Sequence, residues 1–388
     1  MNAALRANWS FPTRIWAGPG RIAALPDACA QLGIHRPLIV TDRALVRHSI
    51  LQSALALLPE AALFGEVKGN PTGSNVEAGL RAYHKGRHDG VVAFGGGSAL
   101  DTGKAVAFMS GQKRPMWDFE DIDDWWTRAD PAGIAAVVAV PTTAGTGSEV
   151  GRAAVILNEE THEKKILFHP QMMPAIVISD PELTVGLPRN ITAATGMDAL
   201  VHCFEAFCAP GFHPFADGMA LEGLRRVARF LPRACADGTD IEARANMLAA
   251  ASMGAAAFQK GLGGVHAIAH PVGSWFDTHH GLTNAVLLPY VMRHNRAAIG
   301  TQCELIARLL ALASPGFESL FDWVLELRRT LGIPHSLAAI GVDAANAAVI
   351  GEQAARDPSA AGNPVPLDAA TLERIFRAAV AGDLQAVD

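Results

Sequence analysis

The chain has 388 residues, of which 50% are hydrophobic and 18% are charged. This composition is typical of a globular protein with enough core for two domains, and it excludes an intrinsically disordered chain. The net charge of −6 argues against a surface that binds nucleic acid or an anionic membrane.

Strand and helix patterns alternate along the first half of the chain. The predicted strands are residues 37–42, 91–94, 134–140 and 175–179, and residues 153–157 and 165–168 form a predicted hairpin. A helical pattern begins near Ala99, directly after a run of glycines. This alternation is typical of a mostly parallel, Rossmann-like sheet with helices on both faces.

The pattern changes after about Thr184. From there to the end of the chain, alanine-rich amphipathic stretches dominate and strand patterns are nearly absent. We therefore predict an α/β domain over residues 1–184 and an all-α domain over residues 185–388.

Two loops that follow predicted strands carry residues suited to a nucleotide. Gly96, Gly97 and Ser98 lie between a strand and a helix, where a backbone without Cβ atoms and a helix N-terminus can receive a phosphate. Thr142 and Thr143 follow the next strand, at the end where parallel sheets bind ligands. An ordinary strand-to-helix turn would explain the glycine loop about as well, and an ordinary loop is the less favoured alternative for the threonine loop.

Asp42 ends the first predicted strand. A carboxylate at this position can accept hydrogen bonds from a ribose diol and would repel a 2′-phosphate. The alternative is that Asp42 caps the segment that follows.

A metal site is predicted from one carboxylate and three imidazoles. Asp198 and His202 are four residues apart, which places them on one face of a helix. His266 and His280 flank a stretch of small and apolar residues, where an unpartnered imidazole would be costly to bury. Oxygen and nitrogen donors without thiolate suit Fe²⁺, Zn²⁺, Mn²⁺ or Co²⁺.

Six sequence blocks resemble the iron-containing (group III) alcohol dehydrogenases. They are FGGGSALDTGKA, VPTTAGTGSEV, DPELTVGLP, GMDALVHCFEAF, GLGGVHAIAHPVG and HHGLTNAVLLPYVMRHN. They follow the order of that family and span most of the chain. The resemblance implies that the N-terminal α/β domain binds NAD(P), that the helical domain holds the metal, and that the substrate lies in the cleft between them.

Site residues carry over from this resemblance by position. The implied metal ligands are Asp198, His202, His266 and His280. The implied cofactor-binding residues are Asp42, Gly96, Gly97, Ser98, Thr142, Thr143 and Lys164, although the adjacent Lys165 leaves the lysine uncertain by one residue. His270 matches the catalytic histidine beside the nicotinamide, where it would relay a proton. His279 is expected in a supporting or surface position.

The resemblance also implies the reaction and its cofactors. A primary alcohol and its aldehyde, or a secondary alcohol and a ketone, are interconverted by hydride transfer with the substrate oxygen on the metal. Fe²⁺ is the expected metal, with Zn²⁺ as the alternative, and NAD is the expected cofactor, with NADP as the alternative. Relatives in this family are commonly dimers or larger, so we expect a homo-oligomer.

The sequence departs from the family before the GLGGVH block. Where many relatives have a large ring this chain has Ala257, and a cation, Lys260, stands six residues before His266. An unpaired ammonium is costly to bury, so Lys260 must reach solvent, a protein carboxylate or a ligand anion. Ala257 is expected to leave room for a larger substrate, and Lys260 is a candidate for binding a substrate with a polar or anionic tail.

Two other function classes remain as alternatives. A metal- and NAD-dependent sugar-phosphate cyclase of the dehydroquinate synthase type would need several Lys or Arg residues around the site, and the segments at 198–202 and 263–281 contain none. A non-catalytic regulator would not need the complete set of candidate ligands, phosphate loop and relay histidine.

The cellular location is predicted from what the chain lacks. Its five cysteines form no C-x-x-C pair, no signal-peptide pattern stands at the N-terminus, and no long apolar run indicates a membrane span. We expect a cytoplasmic enzyme that acts on a small molecule and binds neither nucleic acid nor membranes.

Overall fold

The computed structural model describes residues 13–387. The described chain forms two compact units, the first ending at Gly186 and the second beginning at Leu187. The first unit contains a parallel sheet, and the second is helical, so the predicted fold class is confirmed.

Six parallel strands form the sheet of the first unit, in the order β1-β8-β5-β4-β2-β3. They are β1 (Arg14–Ala17), β2 (Pro37–Asp42), β3 (Ala62–Val67), β4 (Gly90–Gly95), β5 (Ala136–Pro141) and β8 (Ile176–Ser179), with helices α1 (Leu25–Gln31), α2 (Ser49–Leu57), α3 (Gly73–Gly86) and α4 (Gly97–Met109). Because β4 and β5 are buried on both faces, they read as continuous apolar runs. The predicted strands β2, β4, β5 and β8 are confirmed.

Two strands were not predicted, and one helix starts earlier than expected. Strand β1 is short and mostly exposed at one edge of the sheet. Strand β3 forms the other edge, and its apolar residues are interrupted by Gly65 and Glu66. Both therefore lack a clear apolar pattern. Helix α4 begins at Gly97 rather than near Ala99, so the glycines belong to its first turn.

The predicted hairpin is also confirmed. Strands β6 (Ala153–Asn158) and β7 (Glu163–Phe168) pair antiparallel as a separate two-stranded sheet.

The second unit consists, within the described residues, of nine α-helices joined by loops and short 3₁₀ turns. They are α5 (Arg189–Cys208), α6 (Pro214–Ala236), α7 (Ile241–Ala257), α8 (Gly264–Phe276), α9 (His280–His294), α10 (Gly300–Leu309), α11 (Phe317–Leu331), α12 (Ala347–Arg356) and α13 (Ala369–Ala381). Every residue of α5 from Thr192 onward is buried, which is typical of a central core helix. Helices α6, α7 and α9 pack around it.

Among the helices of the described chain, none is long and apolar enough to cross a membrane.

Candidate metal centre

Helix α5 carries the first two predicted ligands. Asp198 and His202 lie one turn apart on α5, and their residues are only 1% and 4% exposed. A carboxylate is rarely buried to this extent without a cationic or hydrogen-bonding partner. The middle of α5 therefore brings a negative charge and an imidazole into the core of the second unit.

Helices α8 and α9 bring the other two. His266 lies in the first turn of α8, and His280 is the first residue of α9. The neighbouring Gly281 permits this arrangement, because a Cβ there would lie 2.5 Å from the carbonyl oxygen of Ala194 on α5. Glycine at this position therefore lets the start of α9 approach α5 closely.

The four predicted ligands are brought together. Each residue contributes one donor atom, and these four atoms lie within 4.8 Å of one another; the residues are Asp198, His202, His266 and His280. Nε2 of His280 and of His266 are 3.7 and 4.0 Å from Asp198 Oδ1. Metal–nitrogen distances of about 2.1 Å would set tetrahedral donors about 3.4 Å apart. The two contacts to Asp198 are within about 0.6 Å of this spacing, and a donor pair at the 4.8 Å limit would have to approach by about 1.4 Å to bind one cation.

The side chain of Asn284 shows where these donors converge. Its amide nitrogen donates to Asp198 Oδ1 at 2.7 Å and lies 3.1 Å from Nε2 of both His266 and His280. One oxygen and two ring nitrogens of the set therefore surround a single position, which the amide nitrogen occupies. Convergent oxygen and nitrogen acceptors without sulfur fit a divalent cation such as Fe²⁺ or Zn²⁺.

Glu205 is a buried acidic residue that the sequence reasoning missed. Its Oε2 lies 2.6 Å from His266 Nδ1, and its Oε1 accepts from the backbone N–H of Val265 at 2.7 Å. Burial alone would lower the pKa of His266, but the hydrogen bond and charge of Glu205, with contributions from Asp198 and Asp357, raise it above its ordinary value. The sequence feature that could have indicated this role is the position of Glu205 as an acidic residue in the otherwise apolar end of the block GMDALVHCFEAF.

His270 is held by a second missed carboxylate. It lies one helical turn after His266 in α8, and its Nδ1 is 2.7 Å from Asp357 Oδ2. Burial would raise the pKa of Asp357, but the charge and hydrogen bond of His270 and hydrogen bonds from Ser359 keep it below its ordinary value. The ring of His270 stacks on that of His280, with centroids 5.5 Å apart. His270 is therefore an oriented imidazole directly beside the four predicted ligands.

His279 lies at the surface. It is exposed, and its Nδ1 accepts from the backbone N–H of Leu282, so it caps the N-terminus of α9. Of the two positions expected for this residue, the surface one fits this geometry.

Lys260 is paired with a protein carboxylate. Its Nζ lies 2.5 Å from Asp217 Oδ1 on α6 and donates to the carbonyl of Phe207 at 3.3 Å. Its side chain is only 6% exposed, so a solvent-facing lysine is wrong. Because Asp217 already neutralises the ammonium, burial of Lys260 does not require a ligand anion. The substrate-binding role stays a prediction that now competes with a structural ion pair.

A ring also stands beside the site despite the alanine at position 257. Ala257 is fully buried, and the next residue, Phe258, places its ring centroid 5.2 Å from that of His202. Space for a larger substrate therefore does not follow from Ala257, because Phe258 supplies an aromatic side chain next to the predicted ligands.

In the first unit, the glycine loop and the threonine loop pack against each other. A Cβ on Gly97 would lie 2.5 Å from Cγ2 of Thr146, and one on Gly96 would lie 3.4 Å from Thr143. The backbone N–H of Thr142 donates to the last carbonyl of β4 at 3.0 Å. A side chain on Gly97 would collide with Thr146, so the two loops can pack this closely only with glycine there, and the bare backbone at the α4 N-terminus forms a cradle that fits a pyrophosphate.

Two charged residues of α4 hold the threonine loop in place, and the sequence reasoning missed them as well. Asp101 Oδ1 accepts from Ser148 Oγ at 2.6 Å, and the buried Lys104 donates to the carbonyl of Ser148 at 2.9 Å. Ser98, at the start of the same helix, donates its hydroxyl to the carbonyl of Gly69. Side chains of α4 therefore hold both the threonine loop and the segment at Gly69 against the start of this helix.

Asp42 lies beside this cradle and also stabilises a turn. Its Oδ1 accepts from the backbone N–H groups of Ala44 and Leu45 at 2.9 and 3.1 Å. Its Oδ2 lies 3.3 Å from where a Cβ on Gly95 would stand. Asp42 can therefore stabilise the turn with Oδ1 and still offer Oδ2 to a ribose, so the two interpretations of this residue are compatible.

Lys164 and Lys165 point to opposite sides of β7 because successive strand residues alternate. Lys165 forms ion pairs with Glu120 and Glu163 at 3.2 and 3.1 Å. Lys165 is therefore engaged by two protein carboxylates, and the cofactor role of Lys164 stays a prediction.

Comparison with known proteins assigns both units to one family. The family model for iron-containing alcohol dehydrogenase matches residues 12–181, and the model for the C-terminal part of the Fe-containing alcohol dehydrogenase family matches residues 192–380. These matches support a dehydrogenase over the sugar-phosphate cyclase and over a non-catalytic regulator. The family implies a metal and NAD.

Individual relatives agree with the family models. The chain is 40% identical over 342 residues to 4-hydroxybutyrate dehydrogenase of Cupriavidus necator, covering 86% of this chain and 89% of the relative. A crystal structure of a 1,3-propanediol oxidoreductase matches with a TM-score of 0.90 and 34% identity over 96% of this chain and 99% of that one. The NAD⁺ complex of sulfoacetaldehyde reductase from Bifidobacterium kashiwanohense matches with a TM-score of 0.86 and 28% identity over 96% and 98%.

The two family models together span nearly all of the described chain. The relatives are dehydrogenases and reductases that match over almost their whole length. This chain therefore belongs to the iron-containing alcohol dehydrogenase family and is an oxidoreductase that acts on alcohols and aldehydes.

Proposed function

We propose that Asp198, His202, His266 and His280 hold one divalent cation on which this alcohol dehydrogenase depends. The observation that carries the proposal is the buried cluster of four donors within 4.8 Å of one another. Fe²⁺ is the proposed resident ion because of the family, and Zn²⁺ is the alternative that the same donors would accept.

When bound, the cation supplies Lewis acidity toward the substrate oxygen and NAD supplies the hydride acceptor. The protein's own contribution is to position the groups and to move the proton. With Nδ1 of His270 bonded to Asp357, Nε2 is the nitrogen through which the neutral ring can take a proton. We assign to Nε2 the proton that leaves the substrate hydroxyl.

For the cofactor, we propose that the cradle formed by Gly96, Gly97 and Ser98 binds the pyrophosphate. Thr142, Thr143 and Lys164 are assigned to the nucleotide, and the free edge of the Asp42 carboxylate to the ribose diol. This arrangement favours NAD over NADP, since a 2′-phosphate beside Asp42 would be repelled.

Replacing Asp42 should weaken the preference for NAD. Asp42→Asn keeps an oxygen for the turn at Ala44 and Leu45 but removes the charge, whereas Asp42→Gly removes both. Like charges about 4 Å apart repel by about 4 kcal/mol at an effective dielectric of 20, so both variants should narrow the NAD/NADP ratio of kcat/KM by about tenfold or more. A wild-type enzyme that strongly prefers NADP would contradict the role of Asp42.

For the substrate, we propose a primary alcohol, or its aldehyde, whose far end carries a polar or anionic group. Three of the relatives are named for substrates of this kind, with a carboxylate in 4-hydroxybutyrate, a sulfonate in sulfoacetaldehyde and a second hydroxyl in 1,3-propanediol, whereas two others at 32% identity are named for methanol and for long-chain alcohols. We further propose that the enzyme is a homodimer or a larger homo-oligomer, as the family implies.

Lys260 is the proposed contact for an anionic tail. On this hypothesis, Lys260→Ala raises KM for 4-hydroxybutyrate far more than KM for 1-butanol, because the charge acts in binding. Asp217→Asn is the control, since it removes the partner of the ion pair and leaves the ammonium in place. Equal changes for both substrates would assign Lys260 to the structural ion pair alone.

The proposed function is tested by absorbance at the NADH band after metal reconstitution. The metal-stripped protein, loaded with Fe²⁺ or Zn²⁺, is screened with 4-hydroxybutyrate, 1,3-propanediol and 1-butanol using NAD and NADP. Turnover should appear only with metal and should disappear on chelation. Full activity of the metal-stripped enzyme would contradict the metal assignment, and highest activity on 1-butanol would contradict the substrate class.

A further inference from the structure

The contact between Glu205 and His266 has a consequence for how the candidate metal centre is assembled. Glu205 is buried on α5, sixty-one positions before His266 in the chain, and its two oxygens contact Nδ1 of His266 and the backbone N–H of Val265. We propose that Glu205 is a positioning residue that keeps the His266 proton on Nδ1 and so directs the Nε2 lone pair toward the other ligands. This inference rests on the proposed metal site.

The first argument is the hydrogen-bonding capacity of the groups. An ionised carboxylate only accepts hydrogen bonds, whereas a neutral imidazole has one donor and one acceptor nitrogen. The 2.6 Å contact from Nδ1 to Glu205 Oε2 therefore requires the proton on Nδ1. The backbone N–H of Val265 engages the other oxygen at 2.7 Å and holds the carboxylate in this orientation.

The second argument comes from the opposite edge of the ring. The amide nitrogen of Asn284 lies 3.1 Å from His266 Nε2. The orientation of this amide is set by Asp198, because only the nitrogen end can donate to a carboxylate oxygen at 2.7 Å. One N–H bond of the amide serves Asp198 and the other can point to Nε2 of His266 or of His280, so an accepting Nε2 on His266 fits this contact and agrees with the proton on Nδ1. Two contacts on different elements thus fit the same tautomer.

This tautomer is the one that a metal requires. A histidine binds a cation through an unprotonated nitrogen, and a carboxylate on the other nitrogen fixes the ring and increases its basicity. Nε2 is the nitrogen of His266 that lies near Asp198 Oδ1. Loss of such an orienting partner typically weakens metal affinity by 10- to 100-fold.

The isosteric variant Glu205→Gln separates this role from simple support of the helix. The glutamine oxygen can still accept from Val265, but its NH₂ group then faces His266 Nδ1 with a donor against a donor. The ring proton should shift to Nε2, and the Kd for Zn²⁺ or Co²⁺, measured by competition with a chelator, should rise about 10- to 100-fold. The d–d absorption of bound Co²⁺ should change as well.

Asn363→Ala is the matched control. Asn363 Oδ1 accepts from the backbone N–H of Gly264 at 3.1 Å, so it supports the same end of α8. This variant should lose thermal stability while the folded protein keeps the wild-type Kd for Zn²⁺. An equal loss of affinity in Asn363→Ala and Glu205→Gln would overturn the tautomer role and leave only support of the helix.

The tautomer itself can be read in the wild type. Long-range ¹H–¹⁵N spectra of the metal-free, histidine-labelled enzyme, recorded at increasing pH until His266 has lost one of its two ring protons, should show the remaining proton on Nδ1. A proton on Nε2 would overturn the inference, and so would an unchanged Kd for Zn²⁺ in Glu205→Gln. If the wild type binds no Zn²⁺ or Co²⁺, the proposed metal site fails, whereas the spectra still decide the tautomer.

Discussion

His266→Ala is expected to abolish tight metal binding and turnover together. His266 is one of four proposed ligands, and even the loss of an outer partner costs 10- to 100-fold in affinity, so the Kd for Zn²⁺ should rise by more than about 100-fold. Metal content after gel filtration and competition with a chelator measure the first effect, and NADH formation measures the second.

The neighbouring His279 offers a control for this experiment. It is a histidine adjacent to a proposed ligand, but it is exposed and caps α9. His279→Asn retains an acceptor for the cap and should keep both metal and activity. A His266→Ala enzyme with full metal content and full turnover would contradict the assignment of His266 as a metal ligand.

His270→Ala is expected to lower kcat without loss of the metal. His270 lies beside the proposed ligands but bonds to Asp357 rather than to a ligand carboxylate. Removing a proton acceptor typically costs 10²- to 10⁴-fold in rate, so kcat should fall by about this factor while the metal content remains that of the wild type. Parallel loss of the metal would make His270 a ligand or a structural support.

Asp357→Asn tests how His270 is controlled. The asparagine oxygen can still accept from the backbone N–H of Ser359, which it does at 2.8 Å in the wild type, but its amide opposes the proton on His270 Nδ1. We expect a smaller decrease in kcat than for His270→Ala, and no further decrease when the two changes are combined, because both act on one proton acceptor. Additive effects would show that Asp357 acts independently.

Several elements of this protein could be predicted from its sequence because they depend on residues close together in the chain. The i, i+4 spacing of Asp198 and His202 places them on one face of α5 wherever that helix packs. The buried strands β2, β4 and β5 stand out because strands covered on both faces need continuous apolar runs. The sequence blocks around the candidate ligands were sufficient to indicate the family, which the family models confirm.

The partners of the buried charged groups depended on the tertiary structure. Glu205 meets His266 across 61 positions, His270 meets Asp357 across 87, and Lys260 meets Asp217 across 43. No local periodicity encodes such pairs. Sequence reasoning could establish that a buried ammonium needs a partner, but only the packing of α6 near the end of α7 identified which carboxylate it contacts.

Contacts between separate elements also explain why strands β1 and β3 were not predicted and why Ala257 was misinterpreted. Strands β1 and β3 pair with only one neighbour each, so their residues are partly exposed and lack a strong apolar pattern. Ala257 stands where many relatives have a large ring, yet the ring beside His202 comes from Phe258. Residue identity and spacing determine which groups are present and which helical face they share. Which of these groups touch is decided by how separate elements pack.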